Sequence, residues 1–180
     1  SRGFRIISEK INELDLLLNY KPASTFISFK NAIEILSSGT FPELLVSEYL
    51  PGEEFSVDCL TNHGASVLIV PRLRKKMING ISVEGEIVEE KNIINYCRQI
   101  IKELQLHGNI GIQVKKADSD EFLILEINPR VQGTIAAALG AGINFPVVEV
   151  KQEIGLWISA DELKVKWGTK FSRHWSEVFY

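Results

Sequence analysis

The sequence predicts an α+β fold in which an antiparallel sheet is flanked by helices. Three observations support this prediction. Apolar and polar residues alternate over several short segments between residues 44 and 128, which is typical of half-buried strands. Two of these segments are separated only by residues 61–64, a spacing typical of a hairpin. Helical periodicity occupies residues 8–20 and 91–106, before and between the strands.

The first 43 residues are predicted to be rich in helix. Ser8 is a good helix cap, and Ile11, Leu14, Leu17 and Leu18 follow at helical spacing, so residues 8–20 are predicted to form an amphipathic helix. Residues 29–36 are predicted to form a second, short helix that ends at Ser-Ser-Gly. The chain begins without Met and enters strand-like sequence at once, so we expect a fragment of a longer protein.

Strands are predicted from residue 44 onward. Residues 44–49 precede a Pro-Gly turn, residues 54–60 and 65–72 form the hairpin, and residues 82–88 form a further strand. Residues 109–116 and 121–128 are predicted to pair as neighbours in sequence, because only a polar turn at 118–120 separates them.

Two helical regions accompany these strands. In residues 91–106 the apolar stripe consists of Ile94, Cys97, Ile101 and Leu104, and Gly108 is predicted to end the helix. Residues 134–154 are small and apolar and are predicted to form two short helices broken at residues 140–142. The three tryptophans, Trp157, Trp167 and Trp175, are predicted to pack a C-terminal extension against the sheet.

Composition excludes several classes of function. The net charge of −3 gives no reason to expect nucleic acid or a membrane surface as a partner, and no apolar run reaches the ~18 residues that span a bilayer. No signal peptide opens the chain, so we expect a cytoplasmic protein. Cys59 and Cys97 lie in apolar patterns and are predicted to be buried thiols in a reducing compartment.

The segment Glu-Ile-Asn-Pro-Arg at residues 126–130 is the main candidate for chemistry. On a strand, Glu126, Asn128 and Arg130 share one side, whereas Leu125 and Ile127 point to the other. The alternative is a strand that merely ends in an Asn-Pro turn. On the neighbouring predicted strand, Gln113 shares its face with Gly111 and Lys115, while Ile110, Ile112 and Val114 fill the other face.

Pairing these two strands brings Gln113, Glu126 and Asn128 together. Oxygen ligands without histidine or thiolate suit a hard cation, above all Mg²⁺, or Mn²⁺ in its place. Arg130 at the rim could then neutralise a transferring phosphoryl group. Arg72 and Arg74 alternate on one strand face, where they point either at an anionic ligand or into solvent, and Lys75 and Lys76 are predicted to lie at the surface.

The chain resembles the ATP-grasp family, closest to its carbamoyl-phosphate-synthase-like branch. The resemblance rests on "FLILEINPR", on "GNIGIQV" before it, and on "LLVSEYLPGEEFSVDCL" further upstream, and it covers roughly residues 1–150. It implies the C-terminal two-thirds of an ATP-grasp domain, in which a nucleotide lies in a cleft between two α+β subdomains. It also implies two Mg²⁺ ions that bridge the β- and γ-phosphates, and an acyl phosphate that an amine attacks.

By this resemblance, Glu126 bridges both metal ions and Asn128 binds the second one. Gln113 occupies the position of a further metal ligand, and Arg130 stabilises the phosphoryl group or the acyl phosphate. Glu54 binds the ribose hydroxyls, with Glu53 as the alternative. The remaining nucleotide contacts that the resemblance implies fall on Glu48, Tyr49 and Leu50, which match the adenine hinge. Arg72 is added to the expected nucleotide contacts from its place on the strand face. Residues 1–3 resemble the end of a glycine-rich phosphate lid.

The resemblance divides the chain into three parts. Residues 1–43 are expected to be the remainder of the small lid subdomain, residues 44–156 the large subdomain with the metal and nucleotide site, and residues 157–180 the extension. The expected function is the ATP- and Mg²⁺-binding part of a ligase that joins a carboxylate or bicarbonate to an amine. The alternatives are a nucleotide-binding module, or a scaffold, without catalysis in this fragment. The oligomeric state, a homodimer included, stays open.

Overall fold

The computed structural model describes residues 5–12, 15, 18, 26–41, 43–78 and 80–180. The chain divides into two units, residues 1–49 and residues 50–180. Much of the predicted helix at 8–20, and all of the predicted lid end at residues 1–3, lie outside the described residues. Among the helices in the part of the chain that is described, none is long and apolar enough to cross a bilayer.

The first unit contains a parallel pair of short strands and a helix. Strand β1 (Ile6–Ile7) pairs with β2 (Phe26–Ile27), and helix α1 (Phe29–Ser37) follows directly. The Oγ of Ser28 caps α1 by accepting a hydrogen bond of 3.2 Å from the backbone N–H of Asn31, which confirms the predicted second helix.

The strand predicted at residues 44–49 is wrong. These residues have no regular secondary structure, and the side chains of Leu45 and Val46 are 97% and 81% exposed. A strand is stabilised by pairing with a neighbour, and none of the described strands pairs with this segment. The apolar pattern of residues 44–49 is therefore not sufficient to predict a strand.

An antiparallel sheet forms the centre of the second unit. Among the described residues its order is β7-β6-β3-β4-β5-β8, and every neighbouring pair is antiparallel. Its strands are β3 (Glu54–Asn62), β4 (Ala65–Ile78), β5 (Ile81–Ile87), β6 (Gly108–Lys116), β7 (Phe122–Asn128) and β8 (Lys170–Ser172). The predicted hairpins are confirmed. At the β3–β4 turn, His63 and Gly64 have φ of 45° and 81°, as a tight two-residue hairpin turn requires.

Helix α2 (Lys91–Glu103) covers one face of this sheet. Ile93, Cys97 and Ile101 of α2 are buried against alternate residues of the central strands, among them Ile112 and Val114, which are fully buried as predicted. Both cysteines are buried free thiols.

The predicted end of α2 needs correction. Leu104 is 56% exposed and caps the helix instead of joining its buried stripe. Gln105 next to it adopts φ of 50°, so the chain turns there. Gly108 does not end the helix but begins β6, with a positive φ of 83°.

Two short helices cover part of the opposite face. Helix α3 (Ala136–Gly140) and helix α4 (Phe145–Glu153) confirm the two predicted short helices, but the break lies at residues 141–144 and not at 140–142; Gly142 has φ of 98° in it. Ala138, Ile143 and Phe145 are buried there against Leu60, Val70 and Ile87 of the sheet.

The C-terminal residues join the sheet through a short strand. After a 3-10 helix (Ala160–Leu163), β8 pairs with β5, and Phe171 packs against the cluster beneath α3 and α4. The predicted packing of the tryptophans is wrong, because Trp157, Trp167 and Trp175 are 83%, 38% and 67% exposed. The residues of the extension that pack against the cluster beneath α3 and α4 are other apolar residues, namely Ile158, Leu163, Val165 and Phe171.

A buried ion pair lies on the same face as α3 and α4. Arg72 of β4 donates through Nη1 to Asp58 Oδ2 of β3 at 2.8 Å, and the side chains are 0% and 2% exposed. Arg72 Nη1 also donates to the backbone oxygen of Thr134 at 2.8 Å. Burial raises the pKa of Asp58 to about 6, although Arg72 opposes the increase.

Gly111 of β6 allows a loop to approach the sheet closely. Gln132 lies across this glycine and donates through Nε2 to the backbone oxygen of Val57 at 3.0 Å. A Cβ at position 111 would lie 2.9 Å from Cδ of Gln132 and closer still to its Cγ.

Gly111→Ala is therefore expected to displace Gln132 and to lower the free energy of unfolding by about 1–3 kcal/mol, the typical cost of overpacking. Urea denaturation measures the change. Gly133→Ala is the matched control, because a Cβ there meets nothing within 4 Å among the described residues. Equal stability of the Gly111→Ala variant and the control would contradict the close approach.

Asp58 makes stability depend on pH in an unusual direction. Because its pKa in the folded state, about 6, lies above the ordinary value of 3.8, its contribution to stability is complete below pH ~4 and is lost as the pH rises through about 6. Relative to Asp58→Asn, the wild type is expected to lose up to about 3 kcal/mol between pH 4 and pH 7. Denaturation of both proteins across this range measures the difference, and a constant difference would refute the raised pKa.

Candidate functional site

The predicted site residues of β6 and β7 lie together at one edge of the sheet. Gln113 and Glu126 are direct cross-strand partners, and Gln113 Nε2 donates to Glu126 Oε1. Asn128 Nδ2 donates to the same carboxylate oxygen at 2.8 Å. Glu126 is exposed, whereas Gln113 and Asn128 are half-buried. The structure therefore brings together the three residues that the sequence selected.

A β-bulge sets the register of these residues. Val114 pairs with Ile124 while Gln113 pairs with Glu126, so Leu125 is an extra residue on β7. The bulge reverses the alternation along the strand, which lets Phe122 and Ile127 both pack against the core beneath α2. Leu125, predicted to share a side with Ile127, is instead 45% exposed.

Arg74 of β4 connects this edge with the centre of the sheet. Its Nη1 donates to Gln113 Oε1 at 3.0 Å and contacts Glu54 Oε1 in an ion pair. Its Nε donates to Ser82 Oγ at 2.8 Å. The side chain of Arg74 is 6% exposed, and that of Glu54 is 15% exposed. A continuous row of hydrogen bonds thus links Glu54, Arg74, Gln113, Glu126 and Asn128, which we call the polar row.

Arg72 and Arg74 have different surroundings although they share a strand face. Arg72 is fully buried with Asp58 and is not among the residues that line the cleft described below, whereas Arg74 is. The expectation that both point at a ligand or into solvent does not match this placement. The sequence analysis selected Arg72 for nucleotide binding and left Arg74 between an anionic ligand and solvent. Alternation put both residues on one face, but only the packing of α3 and its preceding loop shows which one is covered.

The loop of residues 129–135 forms a wall beside the polar row. Arg130 is exposed, with Nη1 2.9 Å from the backbone oxygen of Val131 and Nη2 3.5 Å from Asn128 Oδ1. Three hydrogen bonds from side chains to backbone oxygens anchor this loop. Within the loop, Gln132 donates to Val57; from outside it, Arg72 donates to Thr134, and Arg173 donates to Gly133 at 3.0 Å. Arg130 is thus carried on a fixed support beside Asn128.

A cleft of about 170 Å³ lies between this loop and the β4–β5 turn. Two arginines, Arg74 and Arg130, contribute to its surface, and the rest of its lining is mainly uncharged and polar. The other lining residues are Ser56, Gly80, Ile81, Ser82, Gln113, Asn128, Gln132, Gly133 and Thr134. Guanidinium groups with hydroxyls and amides suit an anionic ligand such as a phosphate or a carboxylate.

The predicted adenine hinge spans the division between the two units. Glu48 and Tyr49 are exposed residues of the first unit, and Leu50 is a buried residue of the second. Their contacts with a nucleotide stay a prediction, as does the role of Glu54 toward ribose.

The donor set of the polar row fits one kind of cation site. Within the described residues, no group of three or more His, Cys, Asp or Glu side chains is placed to hold a metal ion. Glu126 is the carboxylate at this edge, with an amide on either side. So few protein oxygens suit Mg²⁺ that keeps water and phosphate ligands, not a closed protein cage.

Comparison with known proteins identifies relatives of similar local sequence. The chain is 30% identical over 128 residues to the arginine-specific large chain of carbamoyl phosphate synthase from Halalkalibacterium halodurans, which covers 65% of this chain. It is 27% identical over 148 residues to the large chain of carbamoyl phosphate synthase from Agathobacter rectalis, which covers 73% of this chain. The matches span only 11% and 14% of these relatives' own length.

Solved structures share the fold at low sequence identity. A biotin carboxylase complex from Campylobacter jejuni matches 66% of this chain and 29% of its own, with a TM-score of 0.51 and 16% identity. The biotin carboxylase domain of a thermophilic 2-oxoglutarate carboxylase matches 67% of this chain and 29% of its own, with a TM-score of 0.52 and 10% identity. These likenesses confirm the predicted fold class, an antiparallel sheet flanked by helices.

The family described as ATP-grasp in the biosynthetic pathway with Ter operon matches residues 40–176. This match extends over more than half of the chain and includes the whole polar row, the residues that line the cleft, and strand β8. It agrees with the resemblance drawn from the segment at residues 126–130 and from the hinge sequence. The chain therefore belongs to the ATP-grasp family.

Proposed function

We propose that this chain is the nucleotide- and cation-binding part of an ATP-dependent ligase that joins a carboxylate, or bicarbonate, to an amine through an acyl phosphate. The polar row is the observation that supports this proposal most directly. It places two carboxylates, two amides and a guanidinium side by side at the rim of a cleft that carries a second guanidinium. Such an arrangement suits a nucleotide phosphate chain and its cation better than a purely structural strand end.

Glu126 and Asn128 are the residues that we propose for the cation. Glu126 offers an exposed carboxylate, and Asn128 offers an amide oxygen on the side of Arg130. Gln113, the third residue predicted from the sequence, donates its amide hydrogen to Glu126. When bound, Mg²⁺ would neutralise charge on the phosphates and so make the γ-phosphoryl group more electrophilic.

Arg130 is proposed to stabilise the transferring phosphoryl group or the acyl phosphate. Its guanidinium is exposed at the cleft, and the loop that carries it is anchored to the sheet through Gln132 and Thr134. A guanidinium on a fixed support stabilises developing negative charge without a large reorganisation. It would also hold the phosphoryl group in line for the attacking oxygen.

Glu54 is proposed to accept hydrogen bonds from the ribose hydroxyls, and residues 48–50 to contact the adenine. Arg74 contacts one carboxylate oxygen of Glu54 and so fixes its direction at the start of β3. A carboxylate has enough acceptor positions to bind a guanidinium and two hydroxyls together.

The substrate is proposed to be a small carboxylate or bicarbonate. One relative in structure is a carboxylase domain bound to bicarbonate, and the relatives in sequence are carbamoyl phosphate synthases. Nucleotide binding without turnover is the second candidate, because the chain spans 29% of the solved structures it resembles.

Glu126→Gln is expected to abolish the dependence of ADP binding on Mg²⁺. The variant keeps the size of the side chain but removes the carboxylate. Mg²⁺-dependent ADP affinity should fall by at least about tenfold, the lower bound for residues that merely support a metal ligand. Calorimetric titration of wild type and variant, with and without Mg²⁺, measures the loss.

Glu121→Gln is the control, because Glu121 precedes the same strand and contacts Ser119 outside the polar row. Unchanged Mg²⁺-dependent binding in the Glu126 variant would contradict the cation site. Absence of ADP binding in the wild type at millimolar concentration would contradict the proposed function of this chain.

Glu54 can be tested with a nucleotide that lacks the ribose hydroxyls. Wild type is expected to bind ADP at least roughly tenfold more tightly than 2′,3′-dideoxy-ADP, since hydrogen bonds to a charged group contribute about 1.5 kcal/mol or more. Glu54→Gln should lose most of this preference, whereas Glu53→Gln should keep it, because Glu53 is exposed beside it. The opposite pattern would assign the ribose to Glu53.

A further inference from the structure

Gln113 is held between a group that can only donate hydrogen bonds and a group that can only accept them. Arg74 donates to its amide oxygen at 3.0 Å, and its amide nitrogen donates to Glu126. A guanidinium has no acceptor and an ionised carboxylate has no donor. The orientation of the Gln113 amide is therefore set by chemistry: the oxygen faces Arg74, and the nitrogen faces Glu126.

Turning this amide has a definite cost. To bind a cation beside Glu126, the oxygen of Gln113 would have to leave Arg74, and the NH₂ group would then face the guanidinium. Two donors would oppose each other in a half-buried setting, and a donor left without an acceptor there is destabilising. Water or phosphate oxygens are consequently better ligands than Gln113 for a cation at Glu126.

Arg74 cannot easily move away to release Gln113. Its side chain is 6% exposed, and it is held on three further sides by Glu54, by Ser82 Oγ and by the backbone oxygen of Gly80. These partners come from β3, from β5 and from the β4–β5 turn, so the position of the guanidinium is built into the sheet. Arg74 thus places a permanent positive charge next to the predicted metal ligands.

We infer that Arg74 is a positioning residue that directs the Gln113 amide toward Glu126, so that Gln113 supports the cation-binding carboxylate and does not itself bind the cation. The inference rests on the proposed function, which supplies the cation. It leaves Glu126 and Asn128 as protein ligands. Asn128 also donates to Glu126, but among the described residues its oxygen faces only the exposed Arg130 at 3.5 Å, so its amide can turn without leaving a buried guanidinium opposed. The inference predicts one divalent cation for each bound nucleotide. The two cations implied by the family resemblance would require Gln113 as a ligand, where the guanidinium of Arg74 now competes for its oxygen.

The number of bound cations tests this inference directly. The chain is saturated with the β,γ-imido analogue of ATP and titrated with Mn²⁺, and free Mn²⁺ is followed by electron paramagnetic resonance. The wild type is expected to bind one Mn²⁺ per nucleotide complex. Gln113→Leu should still bind one, because Gln113 contributes no ligand, whereas Glu126→Gln should bind none.

Removing Arg74 should free the Gln113 oxygen. Arg74→Met is therefore expected to gain a second Mn²⁺ per complex, and the double variant Arg74→Met/Gln113→Leu should lose that second ion again. Ser82→Ala is the matched control, because it removes another partner of Arg74 and leaves the contact with Gln113 in place. It should bind one Mn²⁺. If Arg74→Met does not fold, the counts for wild type and Gln113→Leu still decide.

Two Mn²⁺ ions in the wild type, or none in Gln113→Leu, would overturn the inference and leave the proposed function intact. No Mn²⁺ in the wild type complex would overturn both, because Glu126 would then hold no cation. One ion in the wild type and in Gln113→Leu supports the inference that Gln113 does not bind the cation, and a second ion only in Arg74→Met supports the role of Arg74. A folded Arg74→Met variant that binds one ion would overturn that role.

Discussion

The buried ion pair between Asp58 and Arg72 lies at the boundary between the apolar and the polar part of one face of the central sheet. Toward one end of β3 and β4, Leu60 and Val70 pack beneath α3 and α4. Toward the other end, Glu54 and Arg74 belong to the polar row. The ion pair with Asp58 meets part of the hydrogen-bonding capacity of Arg72 and compensates part of its charge inside the apolar layer. Removal of one partner from such a buried pair typically destabilises a protein by about 3–5 kcal/mol.

This pair also connects the core with the cleft. Arg72 donates to the backbone oxygen of Thr134, and Gln132 two residues earlier donates to Val57 across Gly111. The loop that carries Arg130 is therefore attached to the two central strands by groups that are themselves buried. Such a support would suit the proposed role of Arg130, since misplacement of a charged group reduces its effect on a transition state.

Much of the architecture was predictable because its signals are local. The alternation of Ile110, Ile112 and Val114, the hairpin around residues 61–64 and the stripe on α2 each arise within a few residues of sequence. The prediction of a strand at residues 44–49 was wrong because it rested on the apolar residues alone. Such a pattern shows which residues a strand could bury, but it does not show whether a partner strand lies beside it. The tryptophans failed similarly, because large aromatic residues do not show from sequence whether anything covers them.

By itself, the sequence determined the residue types at the edge of the sheet, the pairing of the strands that carry Gln113 and Glu126, and membership of the ATP-grasp family. The tertiary structure alone decided that Arg72 is buried while Arg74 faces the cleft, and that the Gln113 oxygen belongs to Arg74. The bulge at Leu125 was also invisible in the sequence. Alternation assigns a residue to a face of a strand, but what that face meets depends on packing between segments that lie far apart in the chain.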